Sequence, residues 1–275
     1  MTRASRVAVA LVLSVCALSF PGSDRPQRPD PTELMKAWES FPETITPRPI
    51  VLTSDLPLRE GTGKTAGRVD LGVPLSTSEP VDTEVALPDG SAMLEQISAS
   101  EAYEDMQKRM RASTSPQVKL FVTGAKLTTA EYMSDRGLIT LPSWRFTVMG
   151  GGVLDWPAVS PDTFWHMRVP PASPRIMRAQ ALATSSAITI WIEEPRRACG
   201  LQEKMPEIQV LESADVVIVA LSDKAERRSR SGHGSDCITT ADLRLMPVTI
   251  NLRSTLNNRV LLDDEGYIVR VARPE

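Results

Sequence analysis

Ala187-Ile-Thr-Ile-Trp-Ile192 alternates strictly, so Ile188, Ile190 and Ile192 share one face of a pleated strand. Strand-like runs follow at Ile208–Leu211, Val216–Leu221, Val248–Leu252, Val260–Leu262 and Tyr267–Val271. Upstream, Val118, Leu120 and Val122 carry the same period of two, in a run that reaches Tyr132. Ser134-Asp-Arg-Gly137 then marks a turn, and Leu138–Leu141 begins the return strand of a hairpin. Trp144, Phe146 and Val148 fall on one face of that strand, with Arg145 and Thr147 on the other. Pro142 between them implies a bulge or an edge. Gly150-Gly-Gly152 reads as a turn into Val153–Val159. Residues 161–174 are a proline-dense loop. About ten strands in all predict a mainly β (α+β) fold, a β-sandwich or barrel-like domain carrying two short helices.

The helices announce themselves by their caps. Asp30-Pro-Thr-Glu33 offers a capping aspartate, a proline at the first helical position and a glutamate that can reach back to the cap. Leu34 and Trp38 share a face, which predicts that Trp38 lies on the β body, and Phe41-Pro42 ends the run. Ser98-Ala-Ser-Glu101 is a capping box opening a second helix to about Arg111. Tyr103, Met106 and Met110 form its apolar face, opposite Glu104, Lys108 and Arg111. Met93, Leu94 and Ile97 suggest a preceding helical turn. Ile50-Val51-Leu52 reads as a strand, and residues 57–90 as loops around a strand at Val81–Leu87.

The start of the chain reads as a leader. Arg3 and Arg6 precede fourteen uncharged, largely apolar residues, Val7–Phe20. That run is short of the about 20 residues a bilayer span needs and fits a signal-peptide core. Ala17-Leu18-Ser19 places small residues before a cleavage site at Phe20, and Val15-Cys16-Ala17 is an alternative site. Leu13-Ser14-Val15-Cys16 resembles the bacterial lipoprotein box, which makes Cys16 a candidate for lipidation; Val15 stands where that box has Gly, Ala or Ser. The bland reading keeps Cys16 as an apolar residue of the leader. The expected organisation is a signal peptide at 1–19 and a Pro-rich tether at 20–31. An N-terminal lobe at 32–115 and a β domain at 116–275 follow, with 32–275 as one domain the alternative.

Loss of residues 1–19 removes Arg3 and Arg6 and no acid, taking the net charge from −3 to −5. A mildly acidic chain gives no electrostatic ground for a nucleic-acid partner. Three cysteines become two. An even pair in an oxidising compartment reads as a Cys199–Cys237 disulfide. It would close a loop of about 38 residues and contribute roughly 4 kcal/mol. Two unrelated buried thiols are the competing reading, and no histidine lies at ligand spacing to make a metal site of them.

Candidate chemistry is sparse. Gly61-Thr-Gly-Lys-Thr65 imitates the end of a phosphate-binding loop, but Leu58 stands where the first glycine belongs and neither strand nor helix signals flank it. His166 and His233 belong to no zinc-binding spacing. Gly232-His-Gly-Ser-Asp236 reads as a solvated loop rather than a triad, whose members come from separate elements. Glu193-Glu194 and Asp263-Asp264-Glu265 supply carboxylates, and a hairpin turn accounts for Asp264-Glu265-Gly266. Lys224, Arg227, Arg228 and Arg230 form a basic run inside the loop between the two cysteines. They are the candidate contact with a protein partner or an anionic polymer, against the plainer reading of a solvated extension.

Several strings resemble exported actinobacterial proteins of unassigned activity. They are Trp38…Phe41-Pro42…Pro47-Arg-Pro-Ile-Val-Leu52 and Val122-Thr-Gly-Ala-Lys-Leu127…Ser134-Asp-Arg-Gly137…Leu141-Pro-Ser-Trp-Arg-Phe146, with Cys199, Cys237 and Arg259-Val-Leu-Leu-Asp-Asp-Glu-Gly266 extending the likeness. The resemblance implies an envelope or secreted location and a disulfide, and supplies no catalytic residue. The expectation is an exported binding module whose partner is an envelope protein or an anionic polymer. It needs no cofactor, and its only membrane contact is through the leader or a lipidated Cys16. The alternative is an envelope-acting hydrolase with an unrecognised site.

Overall fold

The computed structural model describes residues 29–53, 66–111, 118–165, 174–195, 197–198, 201–222, 226–228 and 243–273. Helix α1 (Pro31–Trp38) leads to β1 (Ala66–Leu71), a hairpin of β2 (Thr83–Leu87) and β3 (Gly90–Leu94), and helix α2 (Ala99–Arg111). Strands β4 (Val118–Ser134), β5 (Gly137–Val148) and β6 (Val153–Pro157) follow, then a 3-10 turn at Pro161–Thr163. The second half supplies β7 (Ile176–Ala181), β8 (Ala187–Glu193), β9 (Arg197–Ala198), β10 (Leu201–Glu203), β11 (Ile208–Glu212) and β12 (Val216–Leu221). It ends with β13 (Glu226–Arg228), β14 (Leu245–Asn251), β15 (Val260–Asp263) and β16 (Val271–Ala272). The fold is mainly β, as the alternation predicts.

The strand that opens the sequence reading, β8, sits inside a four-stranded sheet ordered β14-β8-β7-β16. Ile188, Ile190 and Ile192 are all buried, and the residues between them are half-buried. Their core is shared with Val217, Val219 and Leu221 of β12 and Leu261 of β15, which belong to a second sheet ordered β11-β12-β15. The run Val216–Leu221 is apolar without alternation because both of its faces are covered. Val216 and Ile218 turn away from that core and meet Trp38, Phe41 and Val51. Helix α1 therefore forms a third layer, with the Asp30 carboxylate accepting the Thr32 N–H at 2.8 Å as its cap. Trp38, Phe41 and Trp165 pack edge-on or tilted, centroids 5.1–6.1 Å apart.

The first half is built on the β4–β5 hairpin, 17 and 12 residues long, in a sheet ordered β1-β4-β5-β6. The buried face of β5 changes along its length. Near the tip, Ile139 and Leu141 are buried with Ala130 and Tyr132 of β4, beneath Val85 and Leu94 of the β2–β3 hairpin. Towards the base the parity shifts, and Trp144, Phe146 and Val148 are buried beneath α2 through Ala99, Ala102, Tyr103 and Met106. Successive residues of a strand face opposite sides, so the hairpin serves one core with each face. Pro142 and Ser143 stand at the exchange, both buried, where Ser143 Oγ and Tyr132 Oη hydrogen-bond at 2.8 Å.

Pro142 corrects part of the sequence expectation. The register with β4 runs unbroken from Gly124/Thr147 to Ser134/Gly137, and the bulge lies instead at Thr123, between Val122 and Gly124. Counting from the closing Ser134/Gly137 pair, Pro142 falls in a non-hydrogen-bonded pair, so its missing N–H costs no bond to β4. It stands where β6 stops: that ladder begins at Ser143/Pro157, and the Pro142 carbonyl accepts the Ala158 N–H at 2.8 Å. A second correction concerns Met93 and Leu94, which belong to strand β3 rather than to a helical turn. Ile50 and Leu52 form single bridges, to Phe164 and Ser134, in place of a strand.

The capping box forms as read. Ser98 N–H and Oγ donate to Glu101 Oε2 at 3.0 and 2.8 Å, and Glu101 N–H donates to Ser98 Oγ at 3.3 Å. Those bonds hold the Glu101 carboxyl below its ordinary value. Gly150 and Gly151 take positive φ, 96° and 90°, in the turn into β6. Gly266, at φ 84°, ends the turn Asp264-Glu265, and Asp263 N–H donates to the Tyr267 carbonyl across it.

Candidate binding groove

The β2–β3 hairpin turns through Pro88-Asp89 into Gly90, whose φ of 145° suits a residue without a side chain. Leu87 pairs with Gly90, Val85 with Ala92 and Thr83 with Leu94. Antiparallel pairs alternate between bonded and non-bonded, so the N–H and C=O of Ser91 and Met93 point away from β2. Beyond Leu94 that outer edge is taken up by another segment. Ser160 N–H donates to the Glu95 carbonyl at 2.9 Å, and Ile97 N–H donates to the Ala158 carbonyl at 3.0 Å. From Gly90 to Met93 the outer edge has no strand partner among the described residues.

A groove of about 340 Å³ lies along that edge, near the small end of ligand sites. One wall is the loop Ile45–Ile50, in which the Thr46–Pro47 bond is cis and Pro47 approaches the turn at Gly90. The other wall is β3 itself, and Ser160, Asp162 and Thr163 close the far end. Ile45 is 55% exposed and Met93 66%, values typical of a surface that is not fully covered. The carboxylates of Glu95 and Asp162 stand exposed at the same end of the groove.

The groove rests on a buried charge cluster. Arg48, 2% exposed, meets the Asp135 carboxylate through Nη2, and its backbone N–H donates to Asp89 Oδ2 at 3.1 Å. Arg136 reaches Asp89 through Nη1 and Asp135 through Nε at 3.8 Å. Two arginines and two aspartates thus join three separate loops with their charges balanced. Burial pulls the Arg48 guanidinium below its ordinary value while Asp135 pushes it up, and the net direction is down. The Phe41 ring, 5.2 Å from the guanidinium carbon, adds a cation–π contact on another side. Burial works to raise Asp89, but the Arg48 amide and the Arg136 guanidinium outweigh it and hold the carboxyl low. Asp135 also makes two backbone bonds: its N–H donates to Val51 at 3.0 Å, and its carbonyl accepts from Val271 at 2.9 Å. The cluster fixes the groove wall to the tip of the β4–β5 hairpin, and the Asp135 carbonyl carries that tip on to Val271 of the second half.

Other carboxylates singled out by the sequence have structural work. Asp263, fully buried, accepts from the N–H groups of Glu265, Tyr267 and Arg175 at 2.8–3.0 Å. Burial dominates those bonds and raises its carboxyl above the ordinary value. Asp264 holds the Arg175 guanidinium at 2.7 Å. Glu193 ends β8, and the Glu194 N–H donates to the Arg244 carbonyl. Of the basic run, Arg227 and Arg228 lie in β13, opposite Gln202 and Leu201 of β10. Lys224, Arg230, Cys16, Cys199, Cys237, His166, His233 and residues 61–65 lie outside the described residues. A second cavity of about 270 Å³, between Leu182, Leu256 and Arg273, gathers no carboxylate. Among the described residues no cluster of three or more His, Cys, Asp or Glu is placed to hold a metal ion. No described helix is long and apolar enough to cross a membrane.

Sequence reasoning missed the groove. Asp89-Gly90 between two short apolar runs is a hairpin signal that locates β3, but nothing local brings Ile45, Met93 and Asp162 together. No protein-family model, no curated protein and no solved structure matches the chain.

Proposed function

We propose that the protein is an exported binding module that works in the cell envelope or outside the cell, without catalysis of its own. Its C-terminal half is a two-sheet β-sandwich stapled by a Cys199–Cys237 disulfide. The leader at residues 1–19 supports the location, and two cysteines in the mature chain support the staple. The observation that carries the binding role is the groove beside β3. It has exposed apolar side chains on its walls, carboxylates at one end, and a rigid buried charge cluster beneath. A protein partner fits it better than an anionic polymer, since the rim charges are negative.

The test is made in the native host. A photo-reactive amino acid in place of Met93 is expected to cross-link one envelope or secreted protein. The intact mass is expected to start at Phe20 and to show alkylation only after reduction. An unprocessed chain with free thiols would overturn the location and the staple. A turnover activity abolished by one point substitution would replace the binding reading with the hydrolase.

A further inference from the structure

We infer that the groove takes an extended peptide segment of a partner protein, added as a strand to the outer edge of β3, with a lysine or arginine side chain directed at Glu95 and Asp162. The inference rests on the binding-module reading and names the class of partner.

The edge is prepared for such an addition. Ser91 and Met93 direct one N–H and one C=O each away from β2, Met93 on the wall of the groove, and neither residue has a backbone partner there among the described residues. The same edge is already extended at its far end, where residues 158–160 pair through Gln96/Val159. An incoming strand therefore continues a ladder that the chain itself begins. Gly90-Ser-Ala-Met-Leu94 carries no proline, no lysine and no other charge, the devices with which an edge strand ordinarily repels a neighbour. Main-chain bonds to such an edge supply affinity, and side-chain pockets supply choice.

Charge decides the occupant. The groove ends in Glu95 and Asp162, both exposed, and its one arginine is held by Asp135 and by the Phe41 ring. A second copy of this chain offers β3 itself, which contains no base and is flanked by Asp89 and Glu95. Antiparallel pairing of two copies about Ser91–Met93 brings no base to Glu95; it faces the other copy's Asp89, which Arg136 already holds, so a second copy leaves the groove's carboxylates without a counter-charge. A basic, alternately apolar segment meets the opposite condition.

Fluorescence anisotropy of the full chain with labelled Val-Lys alternating heptapeptides tests the inference, with Val-Glu heptapeptides as the comparison. Saturable binding of the Val-Lys peptide is expected, about tenfold tighter than the Val-Glu peptide at low salt and less so at high salt. Met93→Pro removes the outward N–H at a position where β2 takes no bond, and is expected to weaken binding about tenfold or more. Glu95→Lys combined with Asp162→Lys is expected to reverse the preference, which keeps the inference testable if Met93→Pro does not fold. Unchanged binding in both variants, or no saturable binding of either peptide, overturns it. So does a concentration-dependent dimer that Met93→Pro dissociates, which would make a second copy the occupant. A native partner cross-linked at another surface leaves the module standing and removes only the β3 edge from its function.

Discussion

At the level of single residues, the buried ions are where the fold is most easily broken. Arg259 is 8% exposed; it donates to Glu212 Oε2 at 2.8 Å and to the Ser254 and Thr255 carbonyls at 3.0 and 2.9 Å. The other Glu212 oxygen accepts the Arg253 N–H at 2.7 Å. Burial raises the Glu212 carboxyl, but Arg259 and the Arg253 amide outweigh it and the net direction is down. A depressed folded value means that this pair's stabilisation is present above the ordinary glutamate range and is lost as pH falls through the folded value. Arg259→Met strands the carboxylate and is expected to cost about 3–5 kcal/mol at neutral pH. Urea titrations at pH 7 and pH 4 check it. The gap between variant and parent is expected to narrow at the lower pH, where the stranded carboxyl takes up a proton. Asp263 has the opposite sign. Its raised folded value leaves its contribution whole below the ordinary aspartate range and weakens it as pH rises through the folded value.

At the level of elements, the capping box on α2 gives the cleanest local test. Ser98→Ala removes both Oγ bonds and is expected to cost about 1 kcal/mol, read as a lower urea midpoint at unchanged slope. This helix was legible in the sequence because its capping box lies within four residues, while the Ser100 N–H, which donates to the Ser76 carbonyl at 3.1 Å, looks outside it. Strand β8 was legible for a similar reason, since alternation reports a face without needing to know the partner. Strand β12 was legible as a strand, but its two covered faces come from β8 and α1, far away in sequence. The face exchange in β5 is written in Ile139 and Leu141 against Trp144, Phe146 and Val148. It reads as an irregularity until both α2 and the β2–β3 hairpin are in place. Strand β3 was misread because Met93, Leu94 and Ile97 fit a helical spacing as well as a pleat, and Asp89-Gly90 was the deciding signal.

At the level of the whole molecule, the Arg48–Asp135 and Arg136–Asp89 pairs tie the tip of the long hairpin to the 45–50 loop and the β2–β3 turn, across long separations in sequence. Asp135→Ala leaves Arg48 buried without its carboxylate and puts the full cost at the junction. Calorimetry is expected to show one transition in the parent chain and one at lower temperature in the variant, because the core of Trp38, Phe41 and Val51 with Val216, Ile218 and Leu262 still joins the halves. Two separate transitions would mean that the charge cluster, rather than the shared core, couples the halves. The groove was illegible for the same reason as the cluster. Its walls come from residues 45–50, 90–95 and 160–163, and only the finished fold sets them side by side.

The bond from Val271 to the Asp135 carbonyl joins residues 136 positions apart, and this orders events during synthesis. The β4–β5 hairpin closes on near neighbours and can form as soon as it emerges. Its tip meets Val51, Arg48 and Asp89, all earlier in the chain, but its seam with the second half stays open until Val271 has left the ribosome, because that amide and the β16 pairing with β7 arrive together. For that interval the nascent chain carries a finished first half with an unclosed seam. A translation pause before residue 271 would lengthen the exposure of that seam to chaperones and proteases, with no change in the equilibrium stability of the completed protein.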